Sequence, residues 1–165
     1  MIDFFKEASM TKKITGMAKI KGAPVVNARP LRKITKIATV KDEEDEITRI
    51  LLEVASTPDE RRHGLMGRSD LPAVCGMLFE NLSGGGYFWM KNCLIPLDVM
   101  FLDKDGFVTK TYSMPVDKEG KEHYDYDESD VAAIEVQEGF CKKHGIVQGF
   151  KVKISDIGKA GGENV

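Results

Sequence analysis

L-D-V-M-F-L-D-K-D-G-F-V-T-K-T-Y-S-M, Leu97 to Met114, decides the fold. Two strand-like runs, Leu97–Asp103 and Phe107–Met114, flank Asp103-Lys104-Asp105-Gly106, where Gly106 is available for a positive φ. That pattern predicts an antiparallel hairpin. Further strand-like runs lie at short intervals upstream, at Met77–Glu80 and Tyr87–Lys91. Ile47–Val54 alternates in part, with Ile50, Leu52 and Val54 set against Arg49 and Glu53, which suits a half-buried strand. Downstream, Ala132–Gln137 and Val152–Ile154 alternate again.

Two short helices interrupt the strands. Thr57-Pro58-Asp59-Glu60 is a helix start: Thr57 caps, Pro58 fits the first helical position and Glu60 completes a capping box. This helix is expected to end near Gly64–Gly67. Gly139–His144 reads as the second, with Lys142, Lys143 and His144 at its electronegative end and Gly145 at the left-handed cap position. The expected class is therefore α+β: β-rich, a mainly antiparallel sheet or small partly open barrel with two short helices, and no βαβ alternation. A chain of 165 residues suffices for one ordinary domain.

Outside this domain the composition changes. Residues 1–41 hold ten Lys and Arg against two Asp and Glu, a balance of +8, whereas the remainder holds 14 against 24, a balance of −10. Such a step suggests an interaction arm attached to a domain. Gly16, Gly22, Pro24 and Pro30 punctuate the arm, so no long helix fits. The expected organisation is a basic extended arm with an acidic linker over 1–45, the β-rich domain over 46–156 and a flexible tail over 157–165. Leu31–Val40 is expected to pair as an edge strand. Lys12, Lys13, Lys19, Lys21, Arg29, Arg32, Lys33 and Lys36 are the expected partner-binding residues of the arm. Nucleic acid would satisfy that charge through its phosphates, but residues 11–41 offer no aromatic ring for base stacking. An acidic surface on other protein subunits of a larger assembly is the favoured partner. No membrane partner is expected, because the apolar runs fall well short of the ~20 residues a spanning helix needs. No secretory signal is visible, so cytoplasmic synthesis is expected.

The candidate site gathers Arg61, Lys91, Asn92 and Asp98 around Trp89. Strand alternation sets Phe88 and Met90 on one face, Trp89 and Lys91 on the other. Asp98 follows on the next strand, where an antiparallel partner of Lys91 would stand. A Lys–Asp or Arg–Asp pair beside an indole orients a small anionic or peptide ligand. The same pair also serves as a structural cluster, and either role requires pairing, because an unpaired buried charge is expensive.

Other chemistry is weaker. Cys75, Cys93 and Cys141 are odd in number and far apart, which suggests free thiols. Only Cys141 has a histidine at helical spacing, His144, and no catalytic residue is assigned. There is no Cys-x-x-Cys and no zinc-module spacing, so neither a metal nor another cofactor is expected. Ser83-Gly84-Gly85-Gly86 lacks the Lys-Ser/Thr ending of a phosphate loop and reads as a flexible hairpin connection. His123–Asp130 reads as an exposed acidic loop. It is no calcium loop, since Asp130 and Val136 stand where Gly and Glu are needed.

Glu60/Arg61/Gly64-Leu65-Met66, Gly76-Met77-Leu78-Phe79, Phe88-Trp89-Met90-Lys91-Asn92, Ile95-Pro96-Leu97-Asp98 and Gly139…His144-Gly145-Ile146…Gly149 occur in that order. In these motifs, from about Leu51 to about Ile154, the chain resembles the domain-of-unknown-function 192 family. The resemblance implies a compact β-rich fold with short flanking helices, and it implies no reaction. Cys93 stands where the family usually has Thr, and Phe150 where it usually has Asp. The basic arm replaces the export signal or lipid anchor of many relatives.

Three functional expectations follow. The charge step leads to a non-catalytic structural or assembly protein docked through its arm into a larger particle, such as a tailed-phage virion at the capsid, neck or tail. The second is a small-molecule or peptide binding module near Trp89, Lys91 and Asp98, which requires a deep, partly apolar pocket. The third is an enzyme of unnamed reaction, which requires a strongly perturbed pKa in a cleft.

Overall fold

The computed structural model describes residues 34–41 and 47–157. The strands are β1 (Lys36–Lys41), β2 (Ile47–Ala55), β3 (Cys75–Glu80), β4 (Gly86–Trp89), β5 (Leu97–Asp103), β6 (Val108–Met114), β7 (His123–Tyr126), β8 (Asp130–Gln137) and β9 (Val152–Asp156). The helices are α1 (Pro58–His63) and α2 (Phe140–Lys143). Seven strands form one sheet in the order β6-β5-β8-β3-β2-β1-β9, and β4 pairs with β7 in a separate ribbon. Neighbours are antiparallel except β2 and β3, which run parallel. The sheet curls into a half-barrel. Its two outer strands approach at one end, where Val108 N–H donates to the Phe150 carbonyl at 2.8 Å and Val152 N–H to the Gly106 carbonyl at 2.9 Å.

The β5–β6 hairpin forms as its residues predict. Gly106 takes φ 80°, and the Asp103 carboxylate accepts the Asp105 and Phe107 N–H groups, each at 2.9 Å. The capping box of α1 also forms: Thr57 Oγ1 accepts the Glu60 N–H at 3.3 Å, and Glu60 Oε2 accepts the Thr57 N–H at 3.1 Å. Gly145 adopts φ 61° after α2.

Five expectations need correction. β1 is not an edge strand, because β9 pairs along its outer side, so the sheet reaches back to Lys36 and ahead of the boundary expected at residue 46. Lys36, expected to bind a partner, lies in β1 with its ammonium 2.9 Å from Glu80 and 3.7 Å from Asp156. The parallel β2–α1–β3 connection is a βαβ unit, which six residues of helix are too few to announce by periodicity. The Ser83–Gly86 run does not close a hairpin, since β4 leaves β3 to pair with β7. His123–Asp130 is likewise no open loop. His123–Tyr126 is a strand, and fully buried Asp130 accepts the Thr109 hydroxyl at 2.5 Å and the Asp127 N–H at 2.7 Å. Lys12, Lys13, Lys19, Lys21, Arg29, Arg32 and Lys33 lie outside the described residues, as do most of the acidic linker and tail.

Strand alternation gives the sheet two unlike faces. One carries Ile50, Leu52, Leu78, Met100, Ile134 and Val136, packed beneath Phe140 and Cys141 of α2 and the following Ile146. Fully burying each large aliphatic side chain contributes about 1.5–3 kcal/mol. The other face carries Glu53, Met77, Phe79, Val99, Phe101 and Glu135, all buried. On this second face Phe88 of β4 packs edge-on against Phe79 at 4.9 Å and Phe101 at 5.2 Å, and Tyr126 of β7 stacks on Phe101 at 5.6 Å.

Candidate functional site

The second face holds a cavity of about 360 Å³. Phe79, Leu82, Cys93 and Glu135 line its buried parts. Phe88, Trp89 and Tyr126 form aromatic walls from the ribbon, with half-exposed Tyr87 beside them. Arg61, Arg62 and His63 of α1 supply a cationic rim. The chain enters the ribbon through Gly85 and Gly86, and a Cβ on Gly86 would lie 2.8 Å from the Tyr126 hydroxyl, so the Tyr126 ring occupies the space a side chain would take there.

Glu135 is the unusual member. Its neighbours on β8, Ile134 and Val136, enter the aliphatic core, so alternation turns Glu135 to the cavity side. Only 4 % of the residue is exposed, and its Oε2 has no hydrogen-bond partner among the described residues. Burial pushes the carboxyl up to about 8, so it is largely protonated at neutral pH. Nearby Cys93 is pushed up to about 12, first by burial and then by the Glu135 charge.

A second buried polar group serves the architecture. Arg68, on the connection after α1, donates from Nη2 to Glu53 Oε2 on β2 at 2.6 Å, which ties the crossover to the sheet. Cys75 on the adjoining strand is pushed up to about 11, by burial and then by Glu53, with Arg68 opposing.

The residues expected to form the site are only partly brought together. Arg61 and Trp89 line the cavity. The Arg61 guanidinium donates to the carbonyls of Ser56 at 2.6 Å and Glu80 at 3.1 Å, which fastens α1 to the end of β3. Exposed Lys91 holds its ammonium 5.2 Å from the centre of the Trp89 ring. Asn92 is exposed and turns the chain at φ 59°. Asp98 is not the partner of Lys91, because β5 pairs with β6 and β8 and not with β4. It lies on the aliphatic face, buried, and accepts the Cys141 N–H at 2.9 Å, thereby capping α2 from another strand. The Cys141–His144 dyad is also absent. Burial and then Asp98 push the Cys141 thiol up to about 12, while His144 Nδ1 bonds the Thr48 hydroxyl at 3.2 Å. No group of three or more His, Cys, Asp or Glu among the described residues is placed to hold a metal ion. No described helix is long and apolar enough to cross a membrane.

Glu135, Glu53 and Arg68 escaped the residue-by-residue reading. The available signal for Glu135 was a carboxylate inside the apolar run Val131–Val136, on a strand buried on both faces.

The chain belongs to the DUF192 family, described as "Uncharacterized ACR, COG1430", whose model matches residues 38–154. No curated protein matches it. Among solved structures it is similar to a protein of unknown function from Novosphingobium aromaticivorans DSM 12444. Identity there is 27 %, the TM-score is 0.68, and the match covers 81 % of this chain and 94 % of that one. It is also similar to a protein from Sinorhizobium meliloti 1021 described as a "putative transcription regulator", at 24 % identity and a TM-score of 0.68, over 74 % and 95 % of the two chains. This second likeness shows the fold alone.

Proposed function

We propose that this domain is a small-molecule binding module whose ligand enters the aromatic cavity beside Trp89. One observation carries the reading: Glu135, a buried carboxyl among the residues lining the cavity, has an oxygen with no hydrogen-bond partner among the described residues. Buried polar groups are nearly always hydrogen-bonded, and leaving one bare costs free energy that a bound partner recovers. The volume lies at the small end of ligand pockets, and apolar walls with few polar groups are their usual lining. A group that titrates far from its ordinary range in a cleft also meets the requirement set for an enzyme. Even so, three thiols held up at about 11 or 12 supply no nucleophile at neutral pH, and no reaction is assigned.

The test is a fragment screen by NMR, with the Trp89 indole signal as the cavity reporter. Fragments are expected to shift that signal in the native protein and not in a folded Trp89→Leu, Glu135→Ala variant, followed there through its methyl signals. A screen whose hits all bind elsewhere would end the reading. The basic arm supports a separate proposal, docking of the chain onto an acidic protein surface in a larger assembly, which rests on the +8 balance of residues 1–41.

A further inference from the structure

We propose that the cavity selects a small organic ammonium compound, with the ammonium placed against the Glu135 carboxylate and the apolar body held between the rings of Phe88, Trp89 and Tyr126. This inference rests on the reading of the cavity as a ligand site.

Three observations select a cation. The bare oxygen belongs to a carboxyl group, which makes its strongest hydrogen bonds when ionised and facing a positive donor. The walls are aromatic, and ring faces attract cations, most strongly where water is excluded. The Trp89 ring already holds one cation, the Lys91 ammonium 5.2 Å from its centre, which shows in this molecule the attraction the proposal invokes. An anion at the same depth would face Glu135 itself.

The rim cations do not compete for the carboxylate. Arg61 is committed to two backbone carbonyls, and the Arg62 side chain is 74 % exposed, 3.7 Å from Asp59. The titratable and charged side chains that line the cavity with Glu135 are Arg61, Arg62 and His63 from α1, Cys93 from the β4–β5 connection, and Tyr87 and Tyr126 from the ribbon. Among these Cys93 stays a thiol below pH 9, because it is held up at about 12. His63 stands on the rim with the two arginines of α1.

Binding an ammonium group requires Glu135 to give up its proton, so affinity rises with pH. With the carboxyl at about 8, the competent fraction grows roughly twentyfold between pH 6.5 and 8.5. The experiment measures, by calorimetry on the full chain, binding of phenethylamine, 3-phenylpropanol and 3-phenylpropionate at both values. Phenethylamine is expected to bind tightest and to gain on the order of tenfold or more at the higher pH. Glu135→Gln is expected to retain the alcohol and to lose both the preference for the amine and most of its pH dependence. If the alcohol or the carboxylate binds at Trp89 as well as the amine, or if the amine weakens as pH rises, the inference fails and the binding-module reading stands. If none of the three shifts the Trp89 signal and the fragment screen is also empty, both fail.

Discussion

The two faces of the half-barrel solve different problems with the same strands. On β8, Ile134 and Val136 enter a core of aliphatic side chains, while Glu135 between them lines an aromatic cavity. The first face is closed by α2, whose start is held by Asp98 from β5. The second is covered by a two-stranded ribbon and α1, and it contains Glu53, Arg68 and Glu135, three of the five buried polar or charged residues among those described. On this second face one oxygen of Glu135 has no hydrogen-bond partner among the described residues, a cost that the proposed ligand would offset.

Substitutions can break this contrast, and the largest effect is expected on the aliphatic face. Ile134→Ala leaves a cavity in the aliphatic core and is expected to cost about 2–5 kcal/mol, measured by urea unfolding, with no change in pH dependence. Glu135→Gln, on the next residue, is expected to act in the opposite direction. The folded carboxyl keeps its proton up to about 8, whereas the unfolded chain releases it near 4.5. Between those values the folded state binds more protons, so native stability falls as pH rises through that window. The glutamine variant should lose this slope and be more stable near pH 8 by on the order of 4 kcal/mol, as seen in unfolding curves at several pH values.

Gly76→Ala sharpens the comparison from the backbone. An added Cβ would lie 2.6 Å from the Glu135 carbonyl oxygen and crowd Val136 and Ile50. Overpacking of this kind is expected to cost about 1–3 kcal/mol and to shift the amide signals of β8 in an NMR spectrum. The smallest effect is expected at the helix flanking the cavity. Thr57→Ala removes one half of the α1 capping box and should cost about 1 kcal/mol. Hydrogen exchange should then quicken in α1 and remain slow in β8.

What was legible in the sequence depended on sequence distance. The Asp103–Gly106 turn and the Thr57–Glu60 cap are complete within four residues, so their chemistry reads directly from the chain. β1 took an inner place in the sheet because β9, more than a hundred residues later, pairs along it, and no local pattern specifies that partner. Asp98 illustrates the same limit. Its neighbours in sequence suggest Lys91, whereas its hydrogen bond goes to Cys141, 43 residues away. Arg61 and Trp89 did fall at the cavity, yet Glu135 was hidden. Strand alternation sorts residues between two faces but does not say which face opens into a cavity.

A titration of the Glu135 carboxyl followed by carbon-13 NMR tests most directly whether the second face carries an unpartnered carboxyl at the proposed ligand cavity. A midpoint near 8 in the free protein is the predicted result. A midpoint near 4.5 would show a carboxyl already solvated or paired, and would make the second face another part of the scaffold.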